Sequence, residues 1–201
     1  MKIVFFSILF ILIVLYFINL IKEAHGNRKM LVKGVIELII PIILVITIFE
    51  YVLGISVIQS GSMEPTMHVG DTHFFNEIYY KSGHLPKRGD IVIFNSKEYG
   101  EIFGKRIIGV PGDTIEFKDG FVYINGQYLD ESAYIGPNIK TTCSKTFVVP
   151  DDCYFMLGDN REHSEDSRYW QNPYIPLEDI IGIHMGHIGI NVSKVKEILF
   201  S

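Results

Sequence analysis

The chain has 201 residues, 48% of them hydrophobic, with a formal net charge of −5, a size for one domain with appendages. Its 20% charged content excludes a basic nucleic-acid arm and an acidic disordered tail. A mean hydropathy of +0.24 is high for a soluble protein and is concentrated at the front. Residues 1–58 carry five Lys/Arg against three acids, a sum of +2, which leaves 13 basic and 20 acidic residues, a sum of −7, for 59–201.

Ile3 to Ile21 is nineteen residues with only Ser7 and Asn19 polar. As a helix it would be about 28 Å long, close to the thickness of the bilayer hydrocarbon. A cleaved signal peptide would have a shorter apolar region and a small-residue cleavage site, whereas Ile21-Lys22-Glu23 follows here. A retained transmembrane helix is therefore expected over residues 1–22. The next apolar segment, 35–57, is interrupted by Glu37, Pro41 and Glu50. Acids near the interfaces and proline within the span are both tolerated in membrane helices, so a second span is expected, with an interfacial or packed helix as its rival. Between them, residues 23–34 form a short basic loop. Lys22, Arg28, Lys29 and Lys33 against Lys2 alone place that loop in the cytoplasm by the positive-inside tendency. A multi-pass protein of the cytoplasmic membrane follows, its body from residue 58 on the extracytoplasmic (periplasmic) side.

The body reads as mainly β. Short β-rich runs at 91–94, 106–110, 114–117, 121–124, 127–129, 147–149, 154–157 and 180–190 alternate with turn signals. Asp119-Gly120 and Asn125-Gly126 are strong hairpin signals. The polar, turn-rich stretch within about 114–149 predicts a small β-hairpin insertion. The C-terminal 195–200 is at best a short helix. Cys143 and Cys153 are spaced for a small-loop disulfide outside the cytoplasm or for two unpaired thiols. His184 and His187 stand three apart without an H-E-x-x-H pattern. On a regular strand they would face opposite sides, so no metal site and no cofactor is expected.

Three segments can carry chemistry. Gln59-Ser60-Gly61-Ser62-Met63-Glu64-Pro65-Thr66-Met67 sets two serines in a turn, and a serine becomes a nucleophile only beside a base. Lys105, in Gly104-Lys105-Arg106-Ile107-Ile108-Gly109, can be that base if burial strips its proton, and its apolar neighbours favour burial. His163, Ser164 and Asp166 suggest a triad, but sequence neighbours rarely converge so, and no G-x-S-x-G elbow exists. Read singly, each segment has an ordinary explanation: turn serines, a strand lysine and a charged surface turn.

Together they are strong. The S-G-S-M-x-P-T box at Ser60–Thr66, G-D-I-V-x-F at Gly89–Phe94, the K-R-x-x-G-x-P-G-D box from Lys105 and G-D-N-x-x-x-S-x-D-S-R at Gly158–Arg168 follow in order behind apolar anchors. This chain resembles the bacterial type I signal peptidases, the membrane-bound Ser/Lys leader peptidases. The resemblance implies a signal-peptidase-like antiparallel β fold and an endopeptidase that removes signal peptides from exported preproteins after small residues at −3 and −1. It implies Ser62 as nucleophile and Lys105 as general base. The Ser62 N–H and Ser60 hydroxyl would form the oxyanion hole. Ser164 would hydrogen-bond and orient the Lys105 amine, Asp166 would pair with Arg168, and Asp159 would belong to the same polar shell.

Ile58, Met63 and Met67 are the candidate pocket residues from their position around Ser62. Gly104 departs from the apolar residue usual before the lysine, which puts selectivity at −3 in question. Met67 stands where Leu is common. The expected partners are exported preproteins and membrane lipid, with neither nucleic acid nor metal. Two other readings share these features: a specialised conjugation or pilin-maturation peptidase of the same family, and an inert membrane-anchored β module. The Ser62–Lys105 separation discriminates the last from the enzymes.

Overall fold

Residues 14–22, 27–51 and 53–191 are described by the computed structural model, and the chain divides into two units, 1–50 and 51–201. The first unit holds two helices, α1 (residues 14–22) and α2 (Arg28–Tyr51). Asn27 starts α2, its Oδ1 accepting from the backbone N–H of Lys29 at 3.1 Å and of Met30 at 3.3 Å, an N-cap that satisfies two donors of the first turn. Leu20 of α1 lies against Gly34 of α2. A Cβ at residue 34 would overlap the Leu20 methyls, so the missing side chain lets the helices approach. The outer face of α2 is uncovered: Ile36, Ile40, Ile43 and Leu44 are all half or more exposed. Among the described residues, this is the one helix long and apolar enough to cross a membrane, over Arg28–Thr47.

Two boundaries differ from expectation. The helix starts at Arg28, inside the stretch read as a basic loop, because Asn27 caps it there. It ends at Tyr51, and Leu53–Val57 is strand β1 rather than the end of a span. Those residues find a full antiparallel register, Leu53 opposite Asn76 through Val57 opposite Thr72, which a local hydropathy window does not register. Residues 1–13 of the first apolar segment, 23–26 of the loop and the C-terminal 195–200 lie outside the described residues.

The second unit is antiparallel β. After β1 come β2 (Asp71–Asn76), a helical turn α3 (Ile78–Lys81), β3 (Ile91–Ser96), β4 (Glu101–Gly109), β5 (Thr114–Lys118), β6 (Phe121–Ile124), β7 (Gln127–Tyr128), β8 (Phe147–Val148), β9 (Cys153–Leu157), β10 (Tyr174–Pro176) and β11 (Ile180–Asn191). The main sheet runs β1-β2-β11-β3-β4-β9-β10 and the smaller one β7-β6-β5-β8. Asp119-Gly120 and Asn125-Gly126 turn the chain between β5, β6 and β7 with positive φ at all four residues, as mirror-image hairpin turns require.

Strand alternation distributes the core. On β9, Tyr154 and Met156 enter one apolar cluster with Val92, Phe94, Ile107 and Trp170. Phe155 and Leu157, on its other face, enter a second with Ile108, Ile115, Val122 and Phe147, which joins the smaller sheet to the main one. On β3 the same alternation sends Val92 and Phe94 to the first cluster and Ile91 to a third, beneath Met63 and Met67. Cys143 and Cys153 do not form the disulfide that their spacing allowed. Both are free thiols, packed as small apolar side chains against the second cluster.

Candidate active site

Ser62 sits in a single 3₁₀ turn, Gly61–Met63, just after β1. The turn is held from below and from the side. Met63 and Met67, 3% and 1% exposed, plug it into the third apolar cluster beside Ile91, with Ile58 packed alongside. From the side, the Asn160 amide donates to the Gly61 carbonyl at 2.9 Å and its backbone N–H to the Ser62 carbonyl at 3.1 Å. Gly158 makes this approach feasible, since a Cβ there would overlap both the Ser62 carbonyl oxygen and Ser164 Oγ.

Lys105 comes from the middle of β4, opposite Val92 of β3, and is 4% exposed. Its Nζ lies 2.5 Å from Ser62 Oγ and 5.8 Å from the centre of the Phe103 ring. Burial pulls its pKa down to about 8, with Arg168 adding to the effect and Asp166, Glu165 and Asp159 opposing it. Desolvation wins because the two nearby buried carboxylates are already occupied. Arg168 forks onto Asp166, Nε to Oδ1 at 2.8 Å and Nη2 to Oδ2 at 2.9 Å, and the Gly158 N–H donates to Asp166 Oδ2 at 3.1 Å. Arg106 forks onto Asp159 at 2.8 and 2.7 Å, where the Thr66 hydroxyl also donates at 2.5 Å. Such bidentate pairs spend the carboxylate lone pairs on guanidinium groups. The amine is left facing a hydroxyl.

Ser164 departs from expectation. It is 5% exposed, and its Oγ is buried with no hydrogen-bond partner, so it does not bond the Lys105 amine. The amine is instead directed to Ser62, and Ser164 Oγ lies over the bare Cα of Gly158. Ser60 is exposed, with its Oγ 3.3 Å from Ser62 Oγ. Ile58, Met63, Met67 and Gly104 all line one groove of about 500 Å³ that passes Ser62 and Lys105, and Phe75 and Phe103 complete its walls. A Cβ on Gly104 would meet nothing closer than the Val92 carbonyl at 4.0 Å, so residue 104 leaves open space.

Sequence reasoning missed four supports. Arg106 and Asn160 stood inside recognised boxes without a role, and Thr66 ended one. The fourth is Arg161, 1% exposed. It forks onto Glu131 at 2.8 and 2.6 Å and donates to Thr141 at 2.7 Å and to the Gly158 carbonyl at 3.0 Å. It thereby fastens the stretch that follows β7 to the segment holding Asp159 and Asn160. Arg next to Asp-Asn is a usable signal for such a clamp, but Glu131, thirty residues away, carries no local mark.

The arrangement is a serine hydroxyl in contact with a desolvated amine, at the wall of an apolar groove that can receive an extended chain. A family model described as signal peptidase, peptidase S26, matches residues 31–186. A probable signal peptidase I-2 from Synechocystis sp. is 39% identical over 167 residues, covering 80% of this chain and 74% of that protein. Signal peptidase I S of Bacillus subtilis is 35% identical over 157 residues, covering 73% and 83%. A crystal structure of a signal peptidase I from Enterococcus faecalis aligns with a TM-score of 0.44 and 35% identity, covering 50% of this chain and 97% of that one. The chain is a serine endopeptidase and belongs to the signal peptidase family, peptidase S26.

Proposed function

We propose that this protein is a membrane-anchored signal peptidase I that cuts signal peptides from exported preproteins after small residues at −3 and −1, using a Ser62/Lys105 dyad. The 2.5 Å contact between Ser62 Oγ and the Nζ of a lysine that is 4% exposed carries the reading. A base works best when its pKa lies near the operating pH, and a pKa of about 8 leaves part of the amine neutral there. As Ser62 Oγ attacks the scissile carbonyl, its proton passes to Lys105 Nζ. The tetrahedral oxyanion is received by the Ser62 N–H and the Ser60 hydroxyl. Losing one such donor costs about 2.7–4 kcal/mol in a serine protease. Collapse breaks the C–N bond, and Lys105 returns the proton to the leaving amine, which becomes the new N-terminus of the mature protein. Water then gives a proton to Lys105 and attacks the acyl-Ser62 ester, and as the C–O bond breaks Lys105 returns that proton to Ser62 Oγ, which frees the signal peptide and restores the serine.

β1 is an edge strand of the main sheet, so an extended substrate segment can be held by strand addition. Small residues suit the shallow floor set by Met63 and Met67, with Gly104 widening the −3 side. α1 and α2 are read as an antiparallel membrane hairpin, and the basic residues 22–33 place their connection in the cytoplasm. The body then faces outward, where preproteins emerge.

The test is cleavage of a preprotein with an A-x-A site by the purified full chain in detergent. Ser62→Ala and Lys105→Ala should each abolish processing while leaving membrane insertion unchanged. Full activity in either variant would sink the proposal.

A further inference from the structure

A second cluster lies outside the serine–lysine site. Asp71 and His73 on β2 and His187 on β11 bring one ligand atom each to within 4.8 Å of one another. His187 is directly opposite His73 in the antiparallel register, and Asp71 is two residues from His73, hence on its face. His184 joins them, contrary to the expectation that it and His187 face opposite sides. The register of β11 shifts between His184 and Gly186, and both rings end 5.0 Å from the His73 ring. One extra residue in a strand re-aims the side chains beyond it.

His73 is the telling member. It is 2% exposed, its Nδ1 lies 2.9 Å from His184 Nε2, and its Nε2 is buried without a hydrogen-bond partner. A buried nitrogen left unsatisfied costs about 1–3 kcal/mol. The Gly186 backbone favours a proton on the His184 ring. With that proton on Nδ1, His184 Nε2 accepts from His73 Nδ1–H, and His73 Nε2 presents a lone pair. A ring whose other N–H is held by a neighbour is how histidine ligands are oriented at metal centres.

We propose that Asp71, His73 and His187 bind one divalent first-row transition-metal ion of the Zn²⁺ class, which clamps β11 to β2. Two imidazoles and a carboxylate form a donor set suited to such ions. Bonds of 2.0–2.1 Å to a tetrahedral ion put ligand atoms about 3.3 Å apart. His187 Nε2 is already 3.8 Å from Asp71 Oδ1, and its 43% exposed side chain can swing inward. Water, or His68, whose Nδ1 is 3.6 Å from Asp71 Oδ2, completes the fourth position. The ion supplies the partner that His73 Nε2 lacks. Its role is structural, since Ser62 and Lys105 complete their chemistry without it.

The experiment uses the full chain in detergent, stripped with chelator and then titrated with Zn²⁺ against a chromophoric competitor. One tight equivalent is expected, with Co²⁺ giving the visible absorption of a four-coordinate site. His187→Ala and Asp71→Asn should each weaken binding at least tenfold and remove the zinc-dependent rise in Tm, whereas His84→Ala, an exposed histidine outside the cluster, should leave both unchanged. His187 is exposed, so its replacement does not endanger the fold as loss of His73 would. No saturable equivalent in the wild-type chain, or equal affinity in His187→Ala, overturns the proposal.

Discussion

Two buried cations lie in the same candidate active site and are treated in opposite ways. Arg168 is 1% exposed and is met by both Asp166 oxygens and by the Arg161 carbonyl at 2.8 Å. Its pKa is raised, hydrogen bonds and the Asp166 charge outweighing burial. Lys105 is nearly as buried, yet its amine bonds the Ser62 hydroxyl rather than a carboxylate, and its pKa falls to about 8. Burial alone therefore does not decide whether a cation survives in the interior. The supply of carboxylate oxygens does, and here they go to the arginines. Arg168 keeps its charge and Lys105 can lose it.

Breaking the arginine half should have the largest effect. Asp166→Asn leaves Arg168 charged without its counter-ion, and removing one partner of a buried pair costs about 3–5 kcal/mol. Chemical denaturation should show a loss of that order, with activity falling in parallel.

The lysine half predicts the reverse. Lys105→Met should remove activity, on the proposed mechanism, and should stabilise the fold at neutral pH. The folded-state pKa of about 8 lies below the unfolded value of about 10.4. Between those values the unfolded chain holds the extra proton, so the lysine's contribution to stability improves as pH rises through this window. The gain on substitution should thus be about 3 kcal/mol below pH 8, and should fade towards pH 10.5, as unfolding curves at pH 6.5 and 10 would show. A pH-independent gain would mean that packing and not charge is responsible.

The same asymmetry sets the rate profile. With Lys105 as the proposed base, kcat/KM should rise with pH along a limb whose apparent pKa is about 8, measurable with a fluorogenic peptide. Ser164→Ala should leave that limb in place and change stability by no more than about 1 kcal/mol, since its Oγ has no partner to lose. A displaced limb would show that Ser164 bonds the amine once substrate is bound.

The smallest effect on the fold should come from Gly104→Ala, because the added methyl meets only the Val92 carbonyl at 4.0 Å. Stability should move by less than about 0.5 kcal/mol. Larger residues at −3 should be processed more slowly relative to alanine, as cleavage of a preprotein panel varied at that position would report.

Much of this was legible in short motifs. Asp119-Gly120 and Asn125-Gly126 specify their hairpins because the backbone at those turns needs positive φ, a local requirement that local residues meet. The meeting of Ser62, Lys105 and Gly158 was legible for a related reason, as each sits in a short box whose neighbours pack around the same place. β1 was not. Leu53–Val57 is as apolar as the helix before it, and only pairing with Asp71–Asn76 makes it a strand. The unbonded state of Ser164 was also hidden, because it depends on where Gly158 and Ser62 bring their backbones. His184 and His187 were misread because a bulge changes strand periodicity and leaves no sequence signature of its own.

The sequence by itself determined the apolar, basic front, the β character of the body and the identity of the chemical groups, since each rests on composition or on contacts within a few residues. Only the tertiary structure decided the charge of Lys105. That depends on which carboxylates reach it across the fold, and Arg106 takes Asp159 from fifty-three residues away while Arg168 takes Asp166 from two.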